Sequence, residues 1–193
     1  MVKLKALNVV QARDYILERV GPAGVERIRA AMDPAAAEHV YSPTLLATDW
    51  IEVAYAVEHS RAYDRMFPLG APWKTAERMV SDLVIAHYKG TYRSVFLNAT
   101  TPMQMLEKSA RLWNRFYDAG ETQLVVNSPS SVTKFIVGVQ DMPRDHEYLI
   151  MPYYEELLRQ SGAISVTARH VKCAALGAEC CETVIQWRDL DRS

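Results

Sequence analysis

The sequence lacks several features that mark common classes of protein. Among 193 residues there are three cysteines, two of them adjacent, so a disulfide framework is not expected. The expected compartment is the reducing cytoplasm. No stretch approaches the roughly 18 apolar residues that a transmembrane helix needs, and the N-terminus does not resemble a secretory signal. The net charge is −1 and the basic residues are dispersed. We therefore expect no membrane span and no nucleic-acid partner.

Motifs of the frequent enzyme classes are also missing. The sequence has no Gly-x-Ser-x-Gly, no Gly-x-Gly-x-x-Gly, no phosphate-binding loop and no His-Glu-x-x-His. Acidic pairs such as Glu155 and Glu156 fall on helix faces that periodicity assigns to solvent. We expect a protein that is not an enzyme. An enzyme of small aromatic or tetrapyrrole-like substrates stays as an alternative, with His87 or His170 as the titratable group in its pocket.

What the sequence does contain is enough apolar character for one core. With 49% hydrophobic and 23% charged residues, 1–193 is predicted to be a single domain with a helical part, 1–120, and a β-β-α-β-β part, 121–190. Apolar spacing, N-cap residues and Gly or Pro breaks set the helix limits. The predicted helices cover about 8–18, 23–31, a short turn after Asp33-Pro34, about 50–66 after a Thr48 or Asp49 cap, 73–97, 102–118 and 145–160.

The period of the apolar residues changes in the last third. Glu121 to Asn127 and Val132 to Val139 are β-branched runs joined by a short polar turn, which predicts a hairpin. Ala163 to Val171 and Cys181 to Trp187 predict a second pair of strands. Helices followed by strands favour an α+β fold with a four-stranded antiparallel sheet.

The loop between the last two strands carries a family resemblance. Its pattern, Cys173-x3-Gly177-x3-Cys181, resembles the end of the 4-vinyl reductase domain, a member of the haem-NO-binding-like superfamily. Residues 13–21, 92–97 and 112–120 are similar to a paralogous family of stand-alone myxobacterial proteins. The resemblance implies a helical part packed on the sheet, with a cavity between them that holds a small or lipid-like molecule.

An aromatic band precedes the first predicted strand. Trp113, Phe116 and Tyr117, with Leu106, form a broad apolar helix face. Such a face packs as core or forms the wall of a pocket for an aromatic or acyl ligand, and the two readings are compatible. We predict that these four residues and His87, on the preceding long helix, contact the ligand.

The resemblance also implies a metal site. In phenol-sensing relatives this loop binds zinc through Glu-x2-Cys-x7-Cys and one upstream cysteine. Here Cys173 and Cys181 keep the spacing, and His170 takes the glutamate position. On an ideal strand, His170 and Cys173 point to opposite faces, so they converge only if the strand bends. The upstream cysteine is missing, and Asp145, His146 or Glu147 lies in its region.

Haem is the other cofactor that the superfamily implies. His87 is placed suitably for an axial ligand, but the Tyr-x-Ser-x-Arg grip for the propionates is absent, since Tyr92-Arg93-Ser94 has the wrong order. We therefore predict a non-enzymatic ligand-binding or sensory domain that signals through a protein partner or as a homodimer. A structural or interaction module with a filled cavity and a haem-based gas sensor are the alternatives.

Overall fold

The computed structural model describes residues 1–89 and 101–189, and these form an α+β fold. A helical layer comes first, followed by a hairpin, one helix and a second hairpin. The fold class predicted from the sequence is confirmed. The predicted helix over 73–97 is described only as far as Lys89, and the segment 92–97 used for the family resemblance lies outside the described residues.

Residues 1–89 hold two short strands and four helices. They are β1 (Lys3–Lys5), α1 (Leu7–Ala30), α2 (Pro34–Val40), β2 (Trp50–Glu52), α3 (Val53–Met66) and α4 (Lys74–Lys89). The break predicted at Gly21-Pro22 is a kink inside α1, because Gly21 has the left-handed φ of 67°. The Asp33 side chain caps α2 by accepting from two backbone N–H groups, as predicted.

The start of the predicted helix over 50–66 is wrong. Trp50 lies in β2, paired with Lys5 of β1, rather than in the helix that starts at Val53. Its ring is 41% exposed and stacks under the Lys5 ammonium, 3.9 Å from the ring centroid. Three-residue strands are too short to show a period of two, so the pairing had no signal in the sequence.

The aromatic helix is two helices. The chain turns at Leu112 between α5 (Pro102–Arg111) and α6 (Trp113–Phe116), and Tyr117 is already extended. A β-bridge from Tyr117 to Leu4 fixes this end against β1. The predicted continuous helix over 102–118 is therefore wrong at its C-terminal end, where pairing with β1 replaces the last helical turn.

The sheet contains β3 (Glu121–Ser128), β4 (Ser131–Val137), β5 (Ala163–Lys172) and β6 (Cys180–Asp189) in the order β3-β4-β6-β5. Every neighbouring pair is antiparallel, as predicted. Helix α7 (Glu147–Gln160) packs against α4 and β5, and buries Leu157 and Leu158. No helix within 1–89 or 101–189 has the length and apolar character to cross a membrane.

Candidate ligand cavity and thiol site

A cavity of about 490 Å³ lies inside the helical part. Helices α1, α3, α4, α5, α6 and α7 and strand β1 contribute its walls. This volume is within the range of small-molecule sites, and most of the lining is aliphatic or aromatic, as in such sites. The apolar lining includes Leu4, Leu7, Val9, Met79, Val80, Leu83, Val84, Leu112, Leu149, Ile150 and Leu157.

The position of the cavity differs from the expectation of a space between sheet and helices. Among its described lining residues, none belongs to β3, β4, β5 or β6. Trp113, Tyr117 and Tyr154 line the cavity on the side where the Trp113 and Tyr154 rings meet Lys134 of β4. The Trp113 and Tyr154 rings therefore stand between the cavity and Lys134 of the sheet.

The aromatic wall is fixed in place by its own contacts. Trp113 and Tyr117 are stacked, with centroids 3.9 Å apart and planes 10° from parallel, and the Trp113 Nε1–H donates to the Ala119 carbonyl at 3.0 Å. Gly120, at φ 81°, allows this turn, because a Cβ there would lie 2.5 Å from Val139 Cγ1 and 3.0 Å from the Val137 oxygen.

The structure brings four of the five predicted ligand residues to the cavity. Trp113, Phe116, Tyr117 and His87 line it, whereas Leu106 is 1% exposed and belongs to the core behind the wall. Burial lowers the pKa of His87, which favours the neutral imidazole. Whether these residues bind a ligand stays a prediction.

Two further histidines line the cavity, and each is held by a tyrosine. His59 Nε2 is 3.0 Å from the Tyr41 hydroxyl, and His146 Nε2 is 3.0 Å from the Tyr117 hydroxyl. Burial, with the nearby Arg13, lowers the pKa of His59 to about 4. Burial, with the charges of Lys134 and His170, lowers the pKa of His146 to about 3. Both imidazoles are therefore neutral at physiological pH.

A buried lysine lies behind the aromatic wall, and sequence reasoning missed it. Lys134 is 2% exposed, donates to the Tyr154 hydroxyl, and lies 4.9 Å from the centroid of the Trp113 ring. No carboxylate of the described residues forms an ion pair with it. Burial lowers the pKa of Lys134 to about 7. The signal was the alternation in β4, which places Lys134 on the same face as Val132 and Ile136.

The second candidate site is the thiol loop. The ligand atoms of His170, Cys173 and Cys181 all lie within 4.8 Å of one another. The bend that this convergence requires is present: the β5–β6 register shifts between His170 and Lys172, and β5 ends at Lys172. A β-bulge thus turns Cys173 towards the histidine. The predicted donors are together, and their binding of a metal stays a prediction.

The two ring nitrogens of His170 have different surroundings. Glu147 Oε2 lies 2.7 Å from His170 Nδ1, which orients the ring, while His170 Nε2 is buried without a hydrogen-bond partner. Next to these donors is a space of about 20 Å³, enough for one ion or water. Burial raises the pKa of the Cys181 thiol, so a metal ion would have to displace its proton.

The three residues in the region of the missing upstream cysteine make other contacts. Asp145 forms an ion pair with Arg61, His146 bonds Tyr117, and Glu147 supports His170. Cys180 is half-buried beside Cys181 and is not part of the three-residue cluster. The described residues therefore offer two thiols and one imidazole, which leaves a fourth zinc position for water or an exogenous ligand.

The fold has well-defined structural relatives, although the sequence matches no protein-family model and no curated protein significantly. An unliganded Fe(II) H-NOX protein from K. algicida aligns with TM-score 0.68 and 8% identity, covering 98% of this chain and 99% of that one. An H-NOX protein from S. oneidensis in the Fe(II)NO state gives 0.68 and 9%, covering 96% and 99%. An oxygen-binding H-NOX domain in its oxygen complex gives 0.56 and 8%, covering 96% and 95%.

These alignments cover nearly all of each chain, so this protein has the haem-NO-binding-like fold. The predicted fold is confirmed, whereas the narrower family within it is not. At 8 to 9% identity the likeness does not carry residue roles or a ligand from those proteins to this one.

Proposed function

We propose that this protein is a non-enzymatic ligand-binding or sensory domain that holds one small hydrophobic molecule in the helical cavity. The observation that carries the proposal is the cavity of about 490 Å³, lined mainly by apolar and aromatic side chains. Most of the lining area is apolar, and two of the histidines in it, His59 and His146, are each hydrogen-bonded to a tyrosine. Such a lining favours an apolar occupant that is held rather than converted.

A protein partner or a second copy of the chain would transmit the ligand signal, and the cytoplasm would be its compartment. Membership of the 4-vinyl reductase branch is likewise proposed on the Cys173-to-Cys181 loop, and membership of the myxobacterial paralogues on the sequence of residues 13–21, 92–97 and 112–120. A structural or interaction module is the weaker candidate, because it calls for a filled interior, whereas this interior contains a large cavity.

Haem is a second candidate occupant, and the observation that favours it is His87 on the cavity wall. His87 would supply the axial imidazole, and Lys5 and Arg115 would supply cations for the propionates. A bound haem would supply a position for a diatomic gas. An absorbance scan of purified protein separates this occupant from a colourless one, because haem gives a Soret band.

The thiol loop is proposed to bind zinc through His170, Cys173 and Cys181. Support comes from the clustering of the three ligand atoms, from the partnerless His170 Nε2 and from the Glu147 carboxylate behind the ring. A carboxylate in that position fixes the imidazole tautomer and makes it a better ligand. Zinc there would join β5 to β6 and stabilise the end of the sheet next to α7.

Filling the cavity tests the ligand proposal. Ala56, half-buried on α3, lines the cavity. We expect Ala56→Phe to weaken binding of a neutral apolar fluorophore such as N-phenylnaphthylamine by about tenfold or more, because the ring occupies space the probe needs. Fluorescence titration measures the affinity, and thermal unfolding checks that the fold is kept.

Ala54→Phe is the matched control for this substitution. Ala54 is half-buried on the same helix but does not line the cavity, so its replacement should leave probe affinity unchanged. If the fluorophore does not bind the unsubstituted protein, or binds the Ala56→Phe variant as tightly, the cavity is not a ligand site.

A further inference from the structure

The charges that line the cavity are all of one sign. Among the described lining residues, Lys5 and Arg115 are the charged side chains at physiological pH, and neither Asp nor Glu is present. An apolar cavity with cations and no carboxylate in its wall has an electrostatic preference for an anionic group on the ligand.

The two cations belong to the same end of the cavity. Lys5 is in β1, and Arg115 is in α6, the short helix that leads directly into the Tyr117–Leu4 bridge. The Asp118 N–H donates to the Lys3 carbonyl at 3.1 Å, which continues this junction. Helix α7 contributes Leu149, Ile150 and Leu157 to the lining and no charged side chain, so the cavity combines apolar walls with two cations.

The carboxylates of Asp118 and Asp49 accept from backbone N–H groups and, among the described residues, form no ion pair with these cations. Asp118 Oδ1 accepts from the Lys3 N–H at 2.7 Å, and Asp49 Oδ2 accepts from the Leu46 N–H at 2.8 Å. Within the described chain, neither Lys5 nor Arg115 forms an ion pair. The Lys5 ammonium donates to the Thr48 carbonyl at 2.8 Å and lies over the Trp50 ring, so of its three N–H groups one is left for a ligand.

A partnerless polar atom belongs to a residue that also lines the cavity. Gln11 lines the cavity from α1, one turn after Asn8, and its Oε1 is buried with no hydrogen-bond partner. A buried amide without a partner is costly, and a ligand polar group relieves that cost. Because the amide can turn over, Gln11 is able to present its NH₂ group to an oxygen of the ligand.

We propose that the ligand of this cavity is an amphipathic carboxylic acid, whose carboxylate is held by Lys5 and Arg115 at the β1–α6 end while its apolar chain fills the interior. This inference rests on the proposed ligand-binding function and adds the chemical class of the ligand. It assigns recognition to residues outside the aromatic wall, and it makes affinity depend on ionic strength.

Calorimetric titration with decanoic acid and with decanol tests the carboxylate subsite. We expect the acid to bind about tenfold more tightly than the alcohol at low salt, because charge-assisted hydrogen bonds are stronger than neutral ones. Lys5→Met and Arg115→Met should each reduce this ratio at least about threefold, and together they should abolish it. Decanol affinity should stay unchanged in all variants, which reports that fold and cavity are intact.

Arg111→Met is the matched control, because Arg111 is exposed on α5, pairs with Glu107 and does not line the cavity. It should leave the acid-to-alcohol ratio unchanged. Equal affinities for acid and alcohol in the unsubstituted protein overturn the carboxylate subsite while the cavity proposal stands. A ratio that survives the double variant also overturns it. Binding of neither compound contradicts the subsite and the proposed function together.

Discussion

Replacing Lys134 with methionine is expected to raise the free energy of unfolding at pH 7 by about 2 kcal/mol. Lys134 is 2% exposed, and no described carboxylate pairs with it, so folding removes a charged or partly charged amine from water. Methionine has a similar length and keeps contact with the Trp113 ring at no such cost. Chemical denaturation of the two proteins at pH 7 measures the difference.

The pH dependence of the same comparison identifies the cause. The pKa of Lys134 is lowered from 10.5 to about 7, so below pH 7 both the folded and the unfolded amine are charged and the cost of burial is complete. As pH rises from 7 towards 10.5, only the unfolded state keeps its proton, and the penalty disappears. The stability gain of Lys134→Met should therefore shrink across this window. If Lys134→Met lowers the free energy of unfolding, or raises it equally at every pH, burial of the Lys134 amine does not destabilise the folded protein.

Replacing Cys181 with serine is expected to lower the affinity for zinc by about 100-fold or more. A thiolate is a far stronger zinc ligand than a hydroxyl, and the site has three protein donors within 4.8 Å of one another, so the loss of one leaves two. Zinc affinity should also rise with pH, because the metal displaces the proton of a thiol whose pKa is raised by burial. Competition with a chromophoric chelator measures both effects.

Two neighbouring substitutions separate coordination from folding. Cys180→Ser alters the adjacent half-buried thiol outside the cluster and should leave zinc affinity unchanged. Glu147→Gln keeps the side-chain size but weakens support of the His170 ring, and should lower zinc affinity about tenfold. Equal zinc affinity in Cys181→Ser and the unsubstituted protein would mean that the three donors form an ordinary packed cluster.

The resemblance to a zinc-binding loop named the candidate donors of the thiol site but not their geometry. His170 and Cys173 are on opposite faces of a regular strand, and the register shift before Lys172 is what turns them together. A bulge depends on how β5 pairs with β6 across the sheet, which local residue preferences do not determine. Glu147, the residue that orients His170, comes from α7 and is brought there by tertiary packing.

The aromatic wall was predictable, whereas the rest of the cavity was not. Apolar spacing identified Trp113, Phe116 and Tyr117, because the residues of one helix face lie close together in the sequence. The opposite walls come from separate helices, and Lys5 enters through the three-residue strand β1, which has no periodic signal. Lys134 had a readable position on the buried face of β4, but a lysine in a strand is normally assigned to solvent.

The central claim is that the helical cavity holds a small hydrophobic molecule, and native mass spectrometry tests it most directly. Protein purified without detergent and then exposed to a mixture of acyl and aromatic probes should carry one small-molecule adduct per chain, and Ala56→Phe should reduce it. A bare polypeptide mass before and after exposure, from a protein that remains folded, would contradict the account.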